Sequence, residues 1–93
     1  MKKQVVVIGV GRFGGNIARE VYQMGHDVLA IDTDESKIQA MLGQVTYAVK
    51  ADATNETVLQ ELGVPNLDVG VVAIGSNIQT SIIVTVLLKS LGI

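Results

Sequence analysis

Gly9-Val10-Gly11-Arg12-Phe13-Gly14 stands directly after the apolar run Val5-Val6-Val7-Ile8. A G-x-G-x-x-G turn between a strand and a helix suits pyrophosphate. Gly9 allows the tight exit from the strand, Gly11 lets the backbone approach phosphate, and Gly14 permits close packing of helix on sheet. The helix N-terminus then offers free N–H groups and the positive end of its dipole. Arg12 adds a guanidinium to the same turn. It either reaches a γ-phosphate of ATP or clamps the pyrophosphate of NAD; otherwise it is solvated or paired with a carboxylate of a neighbouring subunit.

Asp32 lies eighteen residues past Gly14, at the end of the second apolar run. A carboxylate there accepts hydrogen bonds from ribose hydroxyls and repels a 2′-phosphate, so it favours NAD or an adenosine nucleotide over NADP. Capping of the next helix is its alternative duty, although Thr33 and Asp34 are also available for that. Asp52, in Ala51-Asp52-Ala53-Thr54, ends the third run and either contacts adenine together with Ala53 or caps the helix that follows. Ala73-Ile74-Gly75-Ser76-Asn77 ends the fourth run and faces the glycine turn across the point between strands 1 and 4 where α/β proteins hold ligands. Gly75 permits close approach there, and Ser76 is read as a helix cap. His26, the sole histidine, follows Gly25 and precedes the second strand, at the end of the sheet away from that crevice. It is badly placed as a general base, and no other base, nucleophile or metal cluster gathers near the turn.

These residues need a scaffold, and the chain alternates strand and helix four times. Strands are expected at about 4–8, 27–31, 46–51 and 68–74, and helices at about 13–24, 35–42, 55–62 and 77–91. Ile17, Ala18, Val21 and Tyr22 make the first helix amphipathic; Ile38, Met41 and Leu42 serve the second, and Val58, Leu59 and Leu62 the third. Gly25, Gly43, Gly63 and Gly92 stand where left-handed helix stops belong, and Pro65 follows closely after one of them. Asp34, Thr54 and Ser76 occupy N-cap positions, Ser76 with Gln79 forming a capping box. The alternation implies an α/β Rossmann-like parallel sheet with helices on both faces and strand order 3-2-1-4. A full dinucleotide fold carries two further strands, so residues 1–93 read as a partial domain, truncated before strands 5 and 6, with the fourth strand an open edge or paired with another chain. The last helix is apolar around most of its circumference, which points to burial on more than one side.

Composition narrows the function. Ninety-three residues hold one small domain, marginal unless something supports it. A hydrophobic share of 48% against 17% charged suits strands buried on both faces and subunit contacts. A net charge of -2 provides no basic field for nucleic acid. With no cysteine there is no disulfide, thiolate nucleophile or cysteine-ligated metal, which fits a reducing compartment. The apolar run after Met1-Lys2-Lys3 breaks at Gly9, unlike a signal peptide, and no stretch approaches the ~18 to 20 apolar residues of a membrane span.

Taken together, Ile8-Gly9-Val10-Gly11-Arg12-Phe13-Gly14-Gly15, Met24-Gly25-His26-Asp27-Val28-Leu29-Ala30-Ile31-Asp32, Asp52-Ala53-Thr54 and Val72-Ala73-Ile74-Gly75-Ser76-Asn77-Ile78-Gln79 resemble the RCK (KTN, TrkA-N) domain. This is the nucleotide-binding regulatory module of potassium channels and transporters, carried by cytosolic subunits of bacterial Ktr- and Trk-type uptake systems. The resemblance covers the whole chain. It implies a cytoplasmic, non-enzymatic sensor at the inner face of the plasma membrane. Such a sensor binds ATP, ADP or NAD(H), assembles as homodimers and octameric rings, and gates an integral-membrane potassium partner. On that pattern the glycine turn with Phe13 belongs to the nucleotide site, together with Thr33, Ile74 and Gly75. Arg12 answers to the arginine that tells ATP from ADP, Asp32 to the ribose ligand, and Asp52, Ala53 and Thr54 to the adenine-side segment. The competing expectation is a fragment of an NAD-dependent oxidoreductase, which shares the fold and Asp32 but would need an acid or base near the nicotinamide. A domain whose site is degenerate and serves only assembly is the third.

Overall fold

Val5, Val6, Val7 and Ile8 are four consecutive β-branched residues, and all four are buried. That run forms β1 (Gln4–Ile8), the central strand of a four-stranded parallel sheet. The computed structural model describes residues 2–75 and 78–93. After β1 come α1 (Arg12–Gln23), β2 (Asp27–Asp32), α2 (Glu35–Met41), β3 (Tyr47–Lys50), α3 (Glu56–Glu61), a single 3-10 turn at Val64–Asn66, β4 (Val69–Val72) and α4 (Ile78–Ser90).

The sheet order is β3-β2-β1-β4, as the alternation of elements implies. β1 sets Val6 beside Leu29 of β2 and Gly70 of β4. Side chains of β1 alternate between two layers. Val5 and Val7 pack with Ala18 of α1 and Ile38 and Met41 of α2. Val6 and Ile8 pack with Leu59 of α3 and Val84 and Leu88 of α4. Each fully buried aliphatic side chain contributes ~1.5–3 kcal/mol, so the two layers together supply most of the drive to fold.

Element limits differ from the expected ones by a residue or two, as hydrogen bonding fades gradually at strand ends. β4 ends at Val72, yet the Ala73 N–H still donates to Ile8 O at 2.8 Å. β3 ends at Lys50, while the Ala51 N–H donates to Asp32 O at 3.0 Å. Helix α1 begins one residue earlier than expected, at Arg12. The 3-10 turn was not anticipated; Pro65 sits in its first positions, directly after the expected helix stop at Gly63. Asp34 caps α2 as expected, accepting from the Ser36 N–H at 2.9 Å. Thr54 does not cap α3. Asn55 takes that place, its Oδ1 accepting from the Val58 N–H at 3.3 Å, because the Thr54 hydroxyl is already given to Asp52 at 2.6 Å. The expected cap at Ser76, and Asn77 beside it, lie outside the described residues.

Helix α4 buries Val84 and Leu88 and leaves Ile78, Ile82, Ile83 and Val86 exposed. Gly70 makes the buried side possible. A Cβ on this β4 residue would sit 2.9 Å from Leu88 Cδ1.

Candidate functional site

At the carboxyl ends of the strands the chain turns away from the sheet four times, and these turns enclose a cavity of about 630 Å³. That volume falls within the ~300–1,000 Å³ usual for small-molecule sites. Strand β1 lies between β2 and β4, and its neighbours' connecting helices pack on opposite faces. The cavity therefore opens at a topological switch point.

The three glycines of the first turn do different things. Gly9 adopts φ +91, and a Cβ on it would lie 2.8 Å from Ala73 O. Its N–H donates to Ile31 O at 2.8 Å, which stitches the turn to β2. Gly14 is in the first turn of α1, where a Cβ would collide with the Gly9 carbonyl oxygen. Both are required by packing inside the protein. Gly11 is not: the nearest atom to a Cβ there is Lys37 Nζ, at 3.8 Å. Gly11 is the N-cap of α1 and provides no side-chain cap. The first N–H groups of the helix have no intrahelical acceptor by geometry. The bare backbone at Gly11 thus forms a cradle with space above it and N–H donors below, which fits a phosphate group.

Asp32 reaches the same cavity from the end of β2. Its Oδ2 accepts from the Val10 N–H at 2.9 Å and its Oδ1 from the Asp34 N–H at 2.9 Å. These bonds hold the carboxylate at the rim and tie the glycine turn to β2. Each oxygen keeps acceptor capacity for a hydroxyl. Helix capping by Asp32 is ruled out, since Asp34 does it. Hydrogen bonds from the Ser36 hydroxyl and N–H hold the Asp34 carboxyl below the usual range. Asp52 is likewise not a cap. It accepts the Thr54 hydroxyl and, at 2.9 Å, the Thr54 N–H, and these bonds, the hydroxyl first, lower its pKa.

The structure gathers Gly9, Gly11, Arg12, Phe13, Asp32, Thr33, Asp52, Ala53, Thr54, Ile74 and Gly75 around this one cavity. Gly14 lies behind its wall and shapes it through Gly9. Sequence reasoning missed two polar lining residues, Lys37 and Thr80. Both stand in the first turn of a helix that starts at this end of the sheet, α2 and α4. That position is the signal that could have found them. Ser81 anchors the fourth turn, its hydroxyl donating to Ile74 O at 2.9 Å. His26 sits at the far end of the sheet, where its Nδ1 accepts the Lys3 N–H at 2.9 Å. Among the described residues no cluster of acidic, His or Cys side chains suits a metal ion.

Charge inside the cavity is unevenly satisfied. Asp32 and Asp52 have their carboxylates engaged by N–H and O–H donors. Arg12 and Lys37 have no carboxylate within ion-pair distance among the described residues, where the sole ion pair joins Lys2 and Asp27 at 3.3 Å. Two cations outside any close ion pair, over a bare backbone cradle, suit an anionic ligand.

Residues 5–92 match the TrkA-N domain. The chain belongs to that family. Relatives of this TrkA-N domain include Ktr system potassium uptake protein A of Bacillus subtilis, 52% identical over 91 residues that make up 98% of this chain and 41% of the relative. Ktr system potassium uptake protein C of the same organism is 47% identical across 100% of this chain and 42% of its own length. The chain thus spans less than half of these relatives. Among solved structures, the NAD(P)-binding domain of an exopolyphosphatase-related protein from Archaeoglobus fulgidus superposes with a TM-score of 0.74 and 29% identity, covering 96% of this chain and 66% of that one. The Rossmann-like fold and the family resemblance read from the motifs both hold.

Proposed function

We propose that this TrkA-N domain is the cytosolic nucleotide-sensing module of a potassium transport system, binding ATP/ADP or NAD(H) and gating an integral-membrane channel or transporter. Residues 1–93 would be the nucleotide-binding part of a longer subunit that assembles as a homo-oligomer. The observation that carries this reading is the crevice itself: Gly11 bare where the fold does not demand it, two cations outside any close ion pair among the described residues, and Asp32 held with acceptor capacity toward the same space. The potassium uptake function named for the Bacillus relatives supports the transport role. No described helix is long and apolar enough to cross a membrane. The exposed apolar residues of α4 supply a surface for assembly.

The mechanism is differential affinity. A nucleotide that fits one arrangement of subunits better than another shifts the population toward it, and the membrane partner reads that shift. Turnover is not required. Among the described residues that line the cavity none is His, Cys or Tyr, both carboxylates are engaged, and Lys37 is left as a side chain able to move a proton. An NAD-dependent oxidoreductase would need a proton donor or acceptor there.

Calorimetric titration with ATP, ADP, NADH and NADPH tests the reading. Binding of at least one of the first three is expected, with NADPH weaker than NADH because Asp32 repels a 2′-phosphate. Arg12→Ala should weaken ATP about tenfold, the scale of one charge-assisted hydrogen bond, and ADP less. Equal weakening of both would remove the γ-phosphate role, and folded protein that binds none of the four would end the proposal.

A further inference from the structure

Lys37 brings a positive charge to the rim of the cavity. It stands in the first turn of α2, where the helix dipole disfavours a cation. Three carboxylates are near it in sequence: Asp32, Asp34 and Glu35. Asp32 is taken up by the Val10 and Asp34 N–H groups, and Glu35 Oε1 accepts from Gln39 Nε2 at 3.0 Å; Asp34 is held chiefly by Ser36, with the Lys37 N–H and the attraction of its ammonium as smaller contributions. None makes an ion pair with Lys37 among the described residues. Yet the side chain lines the cavity, and its Nζ lies 3.8 Å from the point a Gly11 Cβ would occupy. The ammonium is therefore poised over the bare backbone cradle, at the cavity that Asp32 also lines.

We propose that Lys37 is a phosphate-binding residue of this crevice, contacting the phosphate group next to the ribose from the α2 side while Arg12 reaches outlying phosphate from the α1 side. The inference rests on the nucleotide-binding reading and adds a division of labour. Asp32 holds the sugar, the Gly11 backbone and Lys37 hold the first phosphate, and Arg12 reads what lies beyond it. A lysine suits this place because its three donors converge on a single point without the planar fit that a guanidinium needs. The ligand class that follows is a nucleoside 5′-phosphate, with affinity rising steeply from the bare nucleoside to the first phosphorylated form.

Titration of the full chain with ADP and with adenosine, for the unmodified protein, Lys37→Ala and Lys37→Arg, tests it. Lys37→Ala should weaken ADP about tenfold at low salt, less as salt rises, and leave adenosine unchanged. Lys37→Arg, which keeps the charge, should recover most of the loss. Lys37 is exposed, so unfolding curves of the variants should overlay that of the parent. Equal loss for ADP and adenosine would mean that Lys37 only shapes the pocket, and no loss for either would show that it is solvated; both overturn the proposal while leaving nucleotide binding intact. Failure of the unmodified protein to bind ADP, ATP or NADH would instead remove the underlying reading.

Discussion

The glycines of the first turn divide into those the protein needs and one that it does not. Gly14→Ala would push a methyl into the Gly9 carbonyl, a backbone group that no rotamer change can move aside. It should cost about 1–3 kcal/mol in urea unfolding, although alanine is otherwise the better helix former. Gly11→Ala meets open space and should change stability by no more than about 1 kcal/mol, the scale of an N-cap change. Its effect should fall instead on nucleotide affinity, measured calorimetrically, because the methyl fills the cradle. The reverse pattern, with Gly11→Ala binding normally, would show that no ligand approaches the backbone there. The motif already assigns these two glycines different duties, approach to phosphate for Gly11 and close packing for Gly14. Their difference is a matter of what lies opposite each Cα.

At the scale of elements, α3 shows how neighbouring polar residues share duties. Asn55 caps the helix, and Thr54 serves Asp52. Asn55→Ala should therefore cost about 1 kcal/mol in unfolding experiments, and Thr54→Val should leave the cap in place. What Thr54→Val should change is the titration of Asp52. The carboxyl lies below its ordinary value of 3.8 in the folded chain because the Thr54 hydroxyl and N–H favour the charged form. Its stabilising contribution is thus present above that ordinary value and is lost as pH falls through the lower folded one. Without the hydroxyl the Asp52 midpoint should move upward, which a carboxyl-carbon NMR titration would detect. An unchanged midpoint would mean that the hydroxyl bond contributes nothing in solution. The sequence offered Thr54, and as an alternative Asp52, for the cap that Asn55 provides. Local geometry, with side chains competing for the same few N–H groups, decided among them.

The molecule as a whole has two buried layers and one unsatisfied face. Helix α4 belongs to both descriptions. Leu88 is buried, 5% exposed, whereas Ile82 on the same helix is 59% exposed. Leu88→Ala should cost about 2–5 kcal/mol, a large part of the ~5–15 kcal/mol that holds a small domain folded. Ile82→Ser should alter unfolding by no more than about 0.5 kcal/mol, while reducing any concentration-dependent association in sedimentation velocity. If the parent chain sediments as a monomer at every concentration, α4 does not drive assembly of these 93 residues by itself. The near-uniform apolar character of α4 was legible from its residues. Which of its sides the sheet covers was not, because that depends on Gly70 lying opposite Leu88.

The order of strands, the two-layer core and the crevice at the strand ends follow from the sequence alone. They rest on short-range periodicity and on the handedness of parallel crossovers, which hold wherever β-branched runs alternate with amphipathic helices. Gly9, Arg12, Asp32 and Asp52 could be picked out for the same reason: each lies at a fixed offset from a strand end. Tertiary structure alone decided the rest. It placed Lys37 over Gly11, turned both oxygens of Asp32 toward backbone donors, and left Arg12 without a carboxylate partner. Those outcomes depend on distances between residues on different elements, set by how two helices and two strands pack together, and no local pattern encodes such a distance.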